Sequence, residues 1–215
     1  MLEAQVAQAL LEIGAVGFSP YDPITFKSGI LSPIYVDNRR LIYWPQQWRV
    51  VIEGFRELIN RHRIEFDIVA GIATGGVPHS SALAYLLQQP SVYVRPQAKE
   101  HGKQNRIEGG DVTDQRILLV EDMITTGGSS LSGVTALREA GAVVSTCLTI
   151  TTFGFAMSQQ AFQVAGVNLY MLTDIRTIVQ EARRAGYFGD AEQRIIEDWL
   201  QDPHGWAERQ EDVGS

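Results

Sequence analysis

Two adjacent carboxylates, Glu121 and Asp122, are followed by a loop of threonine, glycine and serine at residues 125–130. An apolar run predicts a buried strand that ends at Val120, and a helix is expected to run from the loop to Ala140. The amides at a helix N-terminus bind phosphate, and ionised carboxylates accept hydrogen bonds from vicinal hydroxyl groups. The pattern therefore predicts a ligand that carries both groups, such as a ribose 5-phosphate. The alternative is that the acids only cap the helix.

A second loop with the same order of elements lies at residues 73–76, where Ala-Thr-Gly-Gly follows an apolar run and precedes a helix. Its candidate binding residues are Thr74 and Gly75. Glycine lets the backbone approach a ligand closely, which suits a second anion. Gly-Gly after a strand is also typical of a tight turn. Two such loops on neighbouring strands favour the anion site.

A third segment, residues 94–111, concentrates basic side chains in an otherwise acidic protein. Such a loop can close over a polyphosphate, neutralise the charge on a leaving group and exclude water. The alternative is a solvated run of charges in which His101 is an ordinary surface histidine. The basic residues are Arg95, Lys99, His101, Lys103 and Arg106.

The elements that must position these loops alternate between strand and helix. Short β-rich runs are separated mostly by helical stretches, which predicts an α/β fold with a mostly parallel central sheet and helices on both faces. Ligands of such sheets bind beyond the carboxyl ends of the strands. The predicted strands are residues 66–72, 91–95, 117–120, 143–151 and 168–173, and helices are expected over 2–15 and 46–62.

Length and charge narrow the function classes. The chain has 215 residues and a net charge of −7, so a dedicated nucleic-acid binder is disfavoured. We expect a single domain over residues 1–215, in which residues 1–43, with their three prolines, contribute a small N-terminal cap. The spacing of the four histidines and the lone Cys147 argue against structural zinc and a disulfide scaffold. Neither a signal peptide nor a membrane span is predicted, and a cytoplasmic location is expected.

Four stretches of the sequence together resemble a known enzyme family. Residues 118–129, LLVEDMITTGGS, resemble the phosphoribosyl-diphosphate motif of the type I phosphoribosyltransferases. ITFKSGILSPIYVDNR, GIATGGVPH and VRPQAKEHGKQNRIEGG resemble the orotate phosphoribosyltransferases in the same order along the chain, in particular a bacterial branch. The resemblance implies the type I phosphoribosyltransferase fold. It also implies transfer of a phosphoribosyl group from phosphoribosyl diphosphate to orotate in pyrimidine synthesis, giving orotidine 5′-monophosphate and diphosphate.

The resemblance also implies residue roles. The two acids bind the ribose hydroxyls, and the loop after them holds the 5-phosphate. Mg²⁺ bridges the diphosphate to the ribose, and the resemblance assigns it no direct protein ligand. The basic loop closes over the diphosphate from the neighbouring subunit of a homodimer, and the N-terminal cap holds orotate. The implied catalytic residues are Lys99, His101 and Asp122. The implied substrate-binding residues are Lys27, Tyr35, Val36, Thr74, Gly75, Arg95, Lys99, His101, Glu121, Asp122, Met123, Ile124, Thr125, Thr126, Gly127, Gly128 and Ser129.

Two departures from the family pattern bear on these roles. Pro96 stands where many members carry a second lysine after the loop arginine, and Phe153 lies near the place of an arginine that pairs with the orotate carboxylate. Two alternatives therefore stay open. One is a phosphoribosyltransferase for another base, such as a purine. The other is a regulator of this fold that binds nucleotides and RNA without turnover, against which the acidic charge and the intact Lys99 and His101 argue.

Overall fold

The computed structural model describes residues 1–26, 29–97, 106–203, 205–206 and 209. Lys27, Lys99 and His101 therefore lie outside the described residues. The helices are α1 (Leu2–Glu12), α2 (Pro45–His62), α3 (Gly76–Leu87), α4 (Gly128–Glu139), α5 (Ala156–Val164), α6 (Ile175–Arg184) and α7 (Asp190–Gln201), with a 3₁₀ helix at Asn38–Tyr43. The strands are β1 (Val16–Phe18), β2 (Ile24–Thr25), β3 (Leu31–Ser32), β4 (Ile34–Val36), β5 (Ile68–Ile72), β6 (Ser91–Val94), β7 (Ile107–Glu108), β8 (Arg116–Ile124), β9 (Val143–Thr152) and β10 (Asn168–Asp174).

A six-stranded sheet forms the centre of the molecule, in the order β10-β9-β8-β5-β6-β7. The first five strands of that order run parallel, and β7 pairs antiparallel with β6 at one edge. The predicted α/β fold with a mostly parallel sheet is confirmed. β5 and β8 are direct neighbours, so the loops that follow them lie side by side at the carboxyl edge of the sheet.

Alternating side chains of the central strands fill two hydrophobic cores. Leu118 and Val120 of β8 point into the core that contains α1, α2, α3, α6 and α7, whereas Ile117 and Leu119 point into the core that contains α4 and α5. This alternation is what a strand with both faces covered requires, because successive side chains point to opposite faces. The resulting rigid sheet fixes the positions at which its loops leave.

Strand β8 is longer than the sequence indicates. Its apolar run predicts an end at Val120, yet the strand continues to Ile124 and includes both acids. The extension follows from β9, whose ten residues supply partners beyond the apolar run. Glu121 pairs in register with Thr149, and Ile124 pairs with Thr152. The acids are therefore held by a strand ladder rather than by a loop.

The N-terminal segment has two parts with different surroundings. Helix α1 packs against α2, α6 and β10, beside the sheet. Two small antiparallel hairpins follow, β1 with β4 and β2 with β3. The segment that contains β2 and β3 reaches the carboxyl end of the sheet, where the ring of Phe26 lies 5.2 Å from that of Phe153.

Helix α7 is not among the elements expected from the sequence, although Ile196 and Trp199 show helical spacing and are both fully buried. The indole Nε1 of Trp199 donates a hydrogen bond of 2.7 Å to the backbone oxygen of Leu31. The helix near the C-terminus thus supports the N-terminal hairpins. Within the described part of the chain, no helix has the length and apolar character needed to cross a bilayer.

Candidate active site

The carboxyl end of β8 holds the acid pair, and the two side chains differ in exposure. Glu121 is 4% exposed, whereas Asp122 is partly exposed. One carboxylate oxygen of Glu121 accepts a hydrogen bond of 3.0 Å from the Ser130 hydroxyl and one of 3.4 Å from the Ser129 hydroxyl. Its other oxygen accepts the backbone N–H of Asp122. Glu121 therefore ties the strand to the first turn of α4, and Asp122 is the more accessible acid.

Burial of Glu121, followed by the neighbouring charge of Asp122, raises the pKa of Glu121 well above its ordinary value. The folded state then binds a proton that the unfolded state has already released. This side chain makes folding less favourable as pH rises above the ordinary glutamate pKa.

We expect Glu121→Gln to remove part of the loss of stability on going from about pH 5 to about pH 8, because the amide resembles the protonated acid. The measurement is the thermal midpoint across this range. Glu139→Gln, on an exposed residue of α4, is the matched control. Parallel curves for the native protein and Glu121→Gln would contradict the expectation.

Asp122 is held at two points. Its backbone oxygen accepts a hydrogen bond of 2.7 Å from the side-chain amide of Asn38, which also contacts Thr151 at 3.2 Å. Its carboxylate lies directly against Gly75, at the beginning of α3, so closely that a Cβ on Gly75 would overlap it. Asn38 is 1% exposed and was missed by sequence reasoning. Asn38 stands among Asp37, Arg39 and Arg40, so its polar side chain gave no distinguishing signal in the sequence.

The loop after β8 forms an open helix N-terminus. Gly127 precedes α4 with a φ of +83°, a conformation that favours glycine, and no side chain of the described residues caps the helix. Glu121 itself contacts this first turn through the hydroxyls of Ser129 and Ser130, so the role of the acids as ligand-binding groups rather than helix caps stays a prediction. The amides of the first turn remain available to an anion, where the helix dipole adds a favourable field.

The loop after β5 leads into the second helix N-terminus at this edge. Gly75 precedes α3, whose start also has no side-chain cap, and the peptide bond between Ala73 and Thr74 is cis. At Gly76 an added Cβ would be 3.3 Å from Cα of Glu121 and closer still to the Val120 oxygen. The glycines therefore allow the beginning of α3 to approach the end of strand β8 directly.

A small cavity of about 100 Å³ lies between the ends of β5 and β6 and the first turns of α4. Arg95 enters it from β6, and Arg106 joins the strands to the helix through bonds from Nε to the Arg95 oxygen (2.8 Å) and from a terminal nitrogen to the Ser132 oxygen (3.1 Å). Arg95 pairs with Glu108 at 3.6 Å, which compensates part of the positive charge, and the two guanidinium groups beside the beginning of α4 still favour an anionic ligand. The lining residues are Ile72, Ala73, Val94, Arg95, Pro96, Arg106, Ser129 and Ser132.

Aromatic side chains line the side of the site next to β9. Phe153 is buried and its ring lies 5.7 Å from that of Phe155 and 5.9 Å from that of Trp199. With Phe26 these residues form one aromatic cluster at the carboxyl end of the sheet. This cluster offers packing surface to a flat ring. Phe153 itself carries no charge, unlike the arginine found near this position in many family members.

The structure brings the predicted residues of the three strand ends together. Asp122, Gly75 and the loop at residues 125–129 surround one region, and Arg95 lies beside it in the small cavity. Tyr35 is exposed and Val36 is buried in the hairpin that leads to Asn38. The predicted Lys27, Lys99 and His101 are outside the described residues.

Comparison with known proteins gives the same assignment. The sequence model of the phosphoribosyl transferase domain matches residues 42–165, a stretch that contains both helix N-termini. An orotate phosphoribosyltransferase of Coxiella burnetii is 43% identical over 202 residues, which cover 94% of this chain and 97% of the relative. The chain belongs to the orotate phosphoribosyltransferase family. Another orotate phosphoribosyltransferase, of Listeria monocytogenes, is 42% identical and covers 95% of this chain and 98% of its own length.

Solved structures of orotate phosphoribosyltransferases share this fold. The crystal structure from Aeropyrum pernix superposes with a TM-score of 0.74 at 30% identity, over 86% of this chain and 99% of the other. One from Mycobacterium tuberculosis gives a TM-score of 0.67 at 27% identity, over 83% of this chain and 99% of the other. The expected family and its type I fold are confirmed, and the family likeness extends over the hairpins and α7 as well as the matched domain.

Proposed function

We propose that the protein transfers the phosphoribosyl group of 5-phospho-α-D-ribose 1-diphosphate to orotate, giving orotidine 5′-monophosphate and diphosphate. The observation that carries the proposal is the placement of Asp122 between two uncapped helix N-termini. A ligand that bears hydroxyl groups between two phosphate-bearing ends matches this order of groups. The full-length likeness to orotate phosphoribosyltransferases supports the same substrates.

Each end of the ligand has its own binding elements in this proposal. The 5-phosphate accepts hydrogen bonds from the amides at residues 125–129, and Asp122 accepts hydrogen bonds from the ribose hydroxyls, with Glu121 behind it. The diphosphate lies at Thr74 and Gly75, and the basic loop of the neighbouring subunit, which carries Arg95, Lys99 and His101, closes over it. Loss of diphosphate leaves an oxocarbenium-like ribose, so cations near the departing oxygens stabilise the transition state.

Mg²⁺ is part of the proposed reaction. Among the described residues, no group of three or more histidine, cysteine or acidic side chains could hold a metal ion. Mg²⁺ commonly binds through one or two carboxylates together with substrate phosphates, and the partly exposed Asp122 fits that mode. When bound, the ion would neutralise charge on the diphosphate and the ribose oxygens. The protein side chains then orient the ribose and exclude water.

The base site is assigned to the hairpin segment and the aromatic cluster. Lys27 and the backbone near Tyr35 and Val36 bind orotate in this proposal. These residues belong to a cap formed within residues 1–43. The orotate carboxylate needs hydrogen-bond donors from the protein when it is removed from water, and the Phe153 side chain supplies none. Lys27 is the cation of residues 16–36, which form the two hairpins, and Arg39 and Arg40 follow in the 3₁₀ helix.

The test measures diphosphate release with Mg²⁺, phosphoribosyl diphosphate and a panel of bases that contains orotate, uracil, adenine and hypoxanthine. Orotate should be preferred over uracil, which lacks the carboxylate, and Lys27→Ala should raise the KM for orotate or lower kcat sharply. Equal turnover of uracil and orotate would contradict the base assignment. Turnover of a purine would favour the alternative enzyme, and binding without turnover would favour the regulator.

A homodimer in which the basic loop acts in trans is also part of the proposal. The loop joins β6 to β7, and β7 is the edge strand of the sheet, so the loop leaves at the periphery of the molecule. Exposed aromatic side chains on nearby elements provide a surface that a second copy would cover; they are Tyr43, Trp44, Tyr85 and Tyr93. A cytoplasmic location completes the proposal, in keeping with the reduced, buried thiol of Cys147.

Mixing two inactive variants distinguishes the loop arrangements. Lys99→Ala removes a loop cation and Asp122→Asn removes the ribose-binding charge. If the loop acts in trans, mixed dimers contain one intact site, and random assortment restores roughly a quarter of native activity. If it acts in cis, every site carries a defect and mixing leaves activity at the level of the parents. Size-exclusion chromatography of each variant controls for loss of the dimer.

A further inference from the structure

His79 is a buried histidine whose ring is fixed by one described partner. It lies on α3, is fully buried, and its Nδ1 accepts a hydrogen bond of 3.0 Å from the indole Nε1 of Trp48. An indole N–H only donates, so a neutral His79 must carry its proton on Nε2. Burial, opposed by the charge of Asp122, lowers the pKa of His79 to about 4, so the ring is neutral near pH 7.

The proton on Nε2 has no acceptor in the described part of the chain, and the atom is buried. A buried donor without a partner is costly, and most buried polar groups are hydrogen-bonded. Nothing in the packing of α2 on α3 requires a second polar nitrogen at this place. A leucine or phenylalanine would avoid that cost, but it would leave the indole N–H of Trp48 without its acceptor.

Asp122 lies on the same side of α3 as His79. Gly75 and His79 are four residues apart, so they occupy one face at the beginning of the helix. The carboxylate of Asp122 lies against Gly75, one helical turn from His79 on α3. The donor without a partner and the more exposed acid of the site are therefore neighbours.

We propose that His79 is a positioning residue: its Nε2–H, unpaired within the described part of the chain, becomes the donor that orients the carboxylate of Asp122 toward the ribose hydroxyls once substrate binds, while Trp48 fixes the tautomer. The inference rests on the proposed function, since it assigns a role around the ribose site. A neutral donor orients the carboxylate without cancelling its charge. Asp122 thus keeps its capacity to accept hydrogen bonds from the substrate.

Three substitutions at His79 separate this role from packing. The amide nitrogen of His79→Gln can reach the place of Nε2, that of His79→Asn reaches only the place of Nδ1, and His79→Leu has no donor. The dissociation constant for phosphoribosyl diphosphate should rise roughly tenfold in His79→Leu and His79→Asn, and stay within about threefold of native in His79→Gln. The KM for orotate should change less than that for phosphoribosyl diphosphate in all three.

Nitrogen NMR of the protein with ¹⁵N-labelled histidine tests the tautomer without any need for turnover. The native protein should show His79 protonated at Nε2 alone from about pH 6 to about pH 8, and Trp48→Phe should populate both tautomers. Addition of phosphoribosyl diphosphate should shift the Nε2 resonance more than the Nδ1 resonance.

Three results would overturn the inference: protonation of Nδ1 in the native protein, equal weakening in His79→Gln and His79→Leu, or affinity losses that follow the thermal midpoints of the variants. Lack of turnover with orotate by the native protein would instead refute the proposed function. The tautomer and the affinity for phosphoribosyl diphosphate would still test the role of His79 in that case.

Discussion

Gly75→Ala should lower kcat/KM for phosphoribosyl diphosphate by roughly 100-fold, the usual scale for displacing a catalytic group by about 1 Å. Gly75 has φ −64° and ψ −39°, which alanine adopts without strain. The added Cβ would overlap the carboxylate of Asp122, so this side chain must move from its position. The substitution thus acts on the acid without changing it.

The thermal midpoint of Gly75→Ala should stay close to native, because the overlap involves a partly exposed side chain. Gly17→Ala is the matched control, since no atom lies within 4 Å of a Cβ placed there. A double variant provides a second measure. If Gly75→Ala acts through Asp122, adding Asp122→Asn should cost much less than it does in the native background. Additive losses would show that Gly75 acts by another route.

Asp122→Asn should lower kcat/KM for phosphoribosyl diphosphate at least tenfold, or about 1.4 kcal/mol, with an unchanged thermal midpoint. Asparagine keeps the shape and the backbone contact to Asn38, but it replaces a charged acceptor with a weaker one. The loss should therefore appear in kinetics and in Mg²⁺-dependent binding rather than in folding.

Glu139→Gln, a charge removal of the same size on the exposed part of α4, should leave both quantities near native. Activity of Asp122→Asn within about twofold of native, together with lower stability, would remove Asp122 from the ribose site. A comparison with Glu121→Gln adds a second contrast. Glu121 is buried against Ser130, so its loss should affect the pH dependence of stability as well as catalysis.

Local pattern was sufficient for the parts of the fold that depend on neighbouring residues. The apolar runs of β5, β6, β8, β9 and β10 predicted the parallel sheet, and the Thr-Gly-Gly-Ser loop predicted the uncapped start of α4. The two loops proved adjacent because β5 pairs with β8. These features arise from backbone propensity and burial, which a single stretch of sequence records.

Features that depend on distant residues escaped prediction. The continuation of β8 past Val120 requires the long partner β9, and the two-residue β7 exists only as a partner of β6. Asn38 reaches a backbone oxygen 84 residues away, so no local spacing marks its role. The unequal burial of Glu121 and Asp122 likewise follows from the first turn of α4, not from their adjacent positions.

The hydrogen bond from Trp199 to Leu31 joins residues 168 positions apart in the chain. During synthesis, the hairpins proposed to hold the base are translated well before the helix that supports them. At roughly 5–20 residues per second, they wait on the order of 10–30 s for this partner. The sheet and the loops proposed to bind phosphate can form in that interval, whereas the proposed base pocket can be completed only after α7 has emerged. Nascent chains stalled before residue 199 should thus bind phosphoribosyl diphosphate but not orotate, and chains stalled after α7 has emerged should bind both.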